Sequence, residues 1–128
     1  MNNMATSRPE VSPALLKELI VSSIQNKKGK QIVSLGFGGI TNAICDYFVI
    51  CHAPSKVQVE AIADGIQESV KKEAGIRPWN KEGLENAEWV LLDYIDVVVH
   101  IFQEPVRTFY HLEGLWADTE RTEHPYQD

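Results

Sequence analysis

The hydrophobic positions along this 128-residue chain change their period several times, and the changes mark its elements. Leu16, Leu19, Ile20, Ser23, Ile24 and Lys27 recur at helical spacing behind a Ser12-Pro13 pair that supplies an N-cap and a first-turn proline. With Gly29 as the stop signal, the spacing predicts a first helix carrying one apolar stripe. Residues 31–35 then read as a short strand, and Gly36, Gly38 and Gly39 open a loop. Residues 47–51 form a second strand, a continuous apolar run of the kind buried on both faces of a sheet. Ser55 followed by Gln58 is a capping-box pattern. Behind it Val59, Ile62, Ala63, Ile66 and Val70 make a stripe opposite Glu60, Asp64, Glu68, Lys71 and Lys72, and Gly75 closes a long helix that lies on the sheet. Residues 77–83 are short and polar, enough for an edge strand or a turn.

The run 87–102, AEWVLLDYIDVVVHIF, consists of two valine-, leucine- and isoleucine-rich stretches about an acidic bend, and it predicts a hairpin at the centre of the sheet. With Tyr94 and Ile95 as the bend, Asp93 pairs with Asp96 and Trp89 lies opposite His100. Tyr-Ile is poor turn chemistry, which leaves that register open to a shift. Glu104 and Pro105 begin a last helix with Val106, Phe109, Tyr110 and Leu112, interrupted at Gly114 before Leu115 and Trp116. The pattern divides the chain into a flexible leader (1–11), a single domain (12–118) and a flexible acidic tail (119–128). The element order, helix-strand-strand-helix-strand-strand-strand-helix, implies an α/β fold with a mixed sheet and helices packed on it. A strand–helix–strand unit favours a parallel pair and a hairpin an antiparallel one.

Composition narrows the function. The net charge of −6 weighs against a protein that grips nucleic acid directly, since phosphate neutralisation calls for clustered Lys and Arg, and it favours a basic protein partner. Two cysteines and the lack of a leader with a charged start, an apolar middle and a small-residue cleavage site predict a reduced, cytoplasmic chain. No apolar run approaches the roughly 20 residues that span a bilayer.

The candidate chemistry is sparse. Gly36-Phe37-Gly38-Gly39 matches neither the dinucleotide fingerprint nor the lysine-ending phosphate loop and reads as a turn. Cys45, Cys51 and His52, with His100 or His111, are the candidate metal ligands, but the two cysteines straddle a strand and stand roughly 20 Å apart if it is extended. No metal or cofactor is predicted. Asp93, Asp96 and His100 are the best candidates for acid–base work, yet nothing near them reads as a nucleophile or an oxyanion site. Carboxylates capping backbone N–H groups, a hydrogen-bonded histidine and an interface role remain. Of Trp79, Trp89 and Trp116, Trp89 stands at a strand start beside the Glu82-Gly83 turn and is the one expected to be partly exposed and used.

Several segments together resemble the ribosomal silencing factor, or Iojap-related, family. They are residues 46–50 (DYFVI), 58–64 (QVEAIAD), Glu82-Gly83, 88–94 (EWVLLDY), 96–102 (DVVVHIF) and 115–118 (LWAD), in that order along one domain. The resemblance implies a fold similar to nucleotidyltransferases without their catalytic Asp-x-Asp pair, and Asp93-Tyr94-Ile95-Asp96 has the wrong spacing for that pair. It implies a non-catalytic repressor that binds ribosomal protein fourteen of the large subunit and blocks joining with the small subunit. On matching positions, Glu82, Gly83, Trp89, Asp93, Tyr94, Asp96 and His100 become the expected partner face, with Trp89 as anchor. An assembly factor for the large subunit uses the same contact, and a nucleotide-dependent enzyme is the alternative of a different class. An exposed strand edge and an apolar face are also compatible with a homodimer. The chain departs from the family pattern at Ile95, where glycine is common, at Gly36, where an acidic residue is common, and at Ser55-Lys56, where two serines are usual.

Overall fold

The structure is a computed structural model that describes residues 11–38, 40, 43–115 and 119–127. The elements run α1 (Pro13–Asn26), β1 (Lys30–Gly36), β2 (Tyr47–Ala53), α2 (Lys56–Ala74), β3 (Asn80–Glu82), β4 (Trp89–Asp93), β5 (Val97–Gln103), α3 (Glu104–Tyr110), a 3-10 turn (Leu112–Leu115) and β6 (Glu120–His124). Six strands form one sheet in the order β3-β4-β5-β2-β1-β6. The central pair β2–β5 is parallel and the other neighbours are antiparallel, so the sheet is mixed.

Both long helices start as their sequences predict. The Ser12 hydroxyl accepts from the Leu15 N–H, and that of Ser55 from the Gln58 N–H. Only half of the capping box forms, because the Gln58 amide donates to the Lys27 carbonyl at 2.6 Å and so ties the start of α2 to the end of α1. The apolar residues of both predicted stripes pack against one face of the sheet, with Val49, Val90, Leu92, Val99 and Ile101 beneath them, while Lys27 at the end of the first stripe is exposed. The other face carries Val33, Leu35, Phe48, Ile50, Val98 and Phe102, and α3 with the 3-10 turn covers only part of it, through Val106 and Leu112.

The acidic composition after Asp118 predicts a flexible tail, and the structure corrects this. Glu120–His124 adds to the free edge of β1 as an antiparallel strand. Ser34 Oγ and His124 Nε2 lie 2.9 Å apart, and the Pro125 and Gln127 carbonyls accept hydrogen bonds from Gln25 and Lys28 of the α1 end. A charged strand has no apolar alternation to reveal it; what orders it is the backbone hydrogen bonding of β1. Trp116, Gly39 and the leader before Val11 lie outside the described residues.

The central hairpin is present with a shifted register. Trp89 pairs with Phe102, Leu91 with His100 and Asp93 with Val98, so Asp93 does not face Asp96 and Trp89 is diagonal to His100. The Tyr94 N–H donates to the Val97 carbonyl, which moves the bend to Ile95 and Asp96. A second bond from the Asp96 N–H to the Tyr94 carbonyl closes a three-residue turn with Ile95 at φ 75°. Left-handed backbone is costly for a β-branched residue. The Asp93 carboxylate steadies the bend by accepting from the Ile95 N–H at 2.7 Å, and the Asp96 carbonyl accepts from Asp46 and Tyr47.

Candidate docking face

Side chains directly opposite one another in neighbouring strands share a face of the sheet. Glu82, Leu91, His100 and Ile50 therefore form one row across β3, β4, β5 and β2, while Asn80, Asp93, Val98 and Phe48 form the next. Trp89 and Phe102 begin a third. All three rows lie on the face that α1 and α2 leave open.

Trp89 is held from below. Its ring stacks on Phe102 with centroids 4.9 Å apart and meets the Tyr110 ring of α3 at 5.0 Å. Its indole N–H donates to His100 Nδ1 at 3.1 Å. That bond fixes the tautomer: Nδ1 keeps its lone pair, so the neutral imidazole carries its proton on Nε2. His100 is buried, with Phe48 edge-on at 4.7 Å, and burial pulls its pKa down to about 4. A neutral, covered histidine already bonded to an indole is a support for Trp89. It is poorly placed for acid–base catalysis, which needs a group that reaches a substrate.

The predicted face residues separate into three groups. Glu82, Trp89 and Asp93 lie on the open face, with His100 beneath Trp89. Asp96 is exposed at the bend, and exposed Gly83 takes φ 79°, where an added Cβ would stand 2.0 Å from the Trp89 carbonyl oxygen. Tyr94 points the other way and is buried in the core under the long helices, so it offers no ring to a partner on the open face.

The expected partial exposure of Trp89 is found, but Trp79 is far barer. Trp89 is half-buried, whereas Trp79 is 73% exposed. Trp79 sits in IRPWN, a stretch without strand alternation, and that isolation was the available signal for an exposed ring. Its backbone N–H donates to the Asp93 carbonyl at 2.7 Å, which places it beside the bend.

Arg107 escaped the sequence reading altogether. Although charged, it is buried, and its guanidinium bonds Glu113 through Nε and Nη2 at 3.0 and 2.8 Å, the Gln31 carbonyl at 2.7 Å and His52 Nδ1 at 3.0 Å. Gln31 stands in a bulge of β1 with φ 45°, which turns its carbonyl toward this arginine. Burial and the Arg107 charge both lower the His52 pKa, outweighing Glu104 3.8 Å away. The cluster clamps α3 to β1 and β2. Nothing in the local pattern marks a single arginine on a seven-residue helix as buried; its partners come from distant segments.

Hollows elsewhere lack this combination of features. One of about 430 Å³ follows the seam between α1 and α2 and is lined by polar groups such as Ser22, Asn26, Lys27 and Glu68. Cys45 and Cys51 are free thiols pushed up to about 11 and about 12, first by burial, so neither is a ready thiolate.

The family described as "Ribosomal silencing factor during starvation" matches residues 9–128. This chain belongs to the ribosomal silencing factor family. A silencing factor of Halalkalibacterium halodurans is 44% identical over 108 residues, covering 84% of this chain and 91% of that protein. The chloroplastic protein Iojap of Arabidopsis thaliana is 37% identical over 82 residues, covering 64% of this chain and 34% of its own length. A crystal structure of a Chromobacterium violaceum protein superposes with a TM-score of 0.78 at 32% identity, covering 83% of this chain and 87% of that one. Membership in the silencing-factor family implies ribosome association and translational regulation. Among the described residues, no helix is long and apolar enough to cross a membrane.

Proposed function

We propose that this chain is a non-catalytic translational repressor that docks on the large ribosomal subunit through ribosomal protein fourteen and blocks joining of the small subunit. The observation that carries the reading is the open sheet face, where a half-buried tryptophan is locked in place by a buried histidine, Glu82 and Asp93 share the face and Asp96 stands at its bend end. Tryptophan set among tightly packed neighbours is a favoured interface anchor. Carboxylates on and beside the same face, on a chain of net charge −6, complement a basic ribosomal protein and raise the rate of productive encounter. Steric block needs no reacting group, which accords with a neutral, covered His100 and with carboxylates engaged in shaping a bend. The protein then acts in the cytoplasm, where ribosomes assemble, and a homodimer that hides the open face would be an inactive store.

Sedimentation with purified large subunits tests the proposal. The expected result is that the protein co-migrates with them and, in excess, lowers the yield of joined ribosomes when small subunits are added. Failure to co-migrate, or unchanged joining, refutes it.

A further inference from the structure

A second apolar feature stands on the same side of the molecule, apart from Trp89. At the bend end of the open face, Ile44, Trp79, Asp93, Ile95 and Val98 line a hollow of about 390 Å³. Three of its walls are unusually bare for large apolar side chains: Ile44 is 84% exposed, Trp79 73% and Ile95 58%. Single exposed apolar residues are ordinary, but a contiguous group around a concavity marks a contact site. The backbone holds Ile95 there at some cost, because its left-handed φ of 75° would suit glycine. Ile95 buries little in return, so packing within the fold does not account for it.

The border of the hollow is acidic. Asp93 lines it directly, and exposed Asp46 and Asp96 line the adjoining recess that shares Ile44 and Ile95. Apolar walls with a carboxylate rim fit an aliphatic side chain flanked by lysine or arginine. The rim disfavours a nucleic-acid backbone, whose phosphates the carboxylates repel.

We propose that this hollow is a second anchor point, in which Trp79 and Ile95 receive an aliphatic side chain from a basic segment of the same protein partner that meets Trp89. The inference rests on the docking reading above and deepens it. Two anchors at separate points of one face fix the rotation of the partner, which a single tryptophan cannot do.

The test measures affinity for purified large ribosomal subunits with the full chain and four variants. Trp79→Ala, at an exposed position, is expected to raise Kd about tenfold or more, as truncation of an anchor does. Ile95→Gly is expected to weaken binding severalfold while making the fold more stable, a combination that loss of structure cannot produce. Asp96→Asn should flatten the salt dependence of the association rate. Weakening by Trp89→Ala with unchanged binding by Trp79→Ala and Ile95→Gly overturns the second anchor and leaves the docking reading standing. No binding by the unaltered chain overturns both. A mass that doubles with concentration only while Trp79 is present assigns the hollow to a second copy of this chain and overturns the inference as well.

Discussion

Lowering the pH should weaken this fold, and His100 carries a separable share of the loss. An unfolded imidazole titrates near 6.5, whereas in the fold burial holds His100 near 4. Between those values the unfolded chain binds the extra proton and the folded chain does not, so stability falls as pH falls. The contribution is complete above 6.5 and is lost on the way down to about 4. At about 1.4 kcal/mol per tenfold change in proton affinity, the loss is about 2 kcal/mol at pH 5 and about 3 kcal/mol over the whole window. Protonation would also remove the lone pair that accepts the Trp89 N–H. The measurement is urea unfolding at pH 7.5 and pH 5, on the unaltered protein and on His100→Asn. The asparagine amide oxygen can take the place of Nδ1 and keep an acceptor for Trp89 without a titrating group. The unaltered protein should lose about 2 kcal/mol more than the variant between the two pH values. His52 and His124, also held low, are present in both proteins and cancel. Equal losses would show that His100 is not the group that titrates, and the account of a buried neutral imidazole supporting Trp89 would fail.

Other perturbations separate the devices that shape the face. Ile95→Gly should stabilise the chain by about 1 kcal/mol, read as a higher thermal midpoint, because the left-handed backbone no longer strains a β-branched residue; a lower midpoint would mean the side chain packs more than its exposure indicates. Gly83→Ala should cost more than about 2 kcal/mol, since it combines a disfavoured φ with a Cβ pressed on the Trp89 carbonyl; chemical denaturation that leaves the midpoint unchanged would refute the need for glycine there. Arg107→Ala should lose about 3 kcal/mol by stranding Glu113 and the Gln31 carbonyl, and Arg107→Lys should recover little, because one ammonium cannot reproduce the fork of contacts. Full recovery by lysine would reduce the clamp to simple charge.

The legibility of this protein in its sequence follows the range of the forces involved. Helices α1 and α2, with their caps and buried stripes, depend on residues three or four apart, and those spacings are visible in one dimension. Strands β2, β4 and β5 declare themselves by β-branched runs for the same reason. The hairpin register was legible only in part. Its hydrophobic pattern fixes two strands but not the turn, and the turn chosen places Ile95 in left-handed backbone that its side chain disfavours, held by the Asp93 carboxylate and by the Asp96 carbonyl bonded to β2.

What the sequence determined by itself is the class of fold, the family, and the set of polar residues gathered around the central hairpin. Only the tertiary structure decided which of them share a face. It turned Tyr94 into the core, placed His100 under Trp89, exposed Trp79 and brought Glu120–His124 onto the edge of β1. It also buried Arg107 among partners as far away as Gln31, 76 positions distant in the chain. Such outcomes rest on contacts between segments remote in sequence, where hydrogen-bond partners and covering side chains are supplied by the fold. Local periodicity carries no record of them, because it registers only the neighbours a residue meets within its own element.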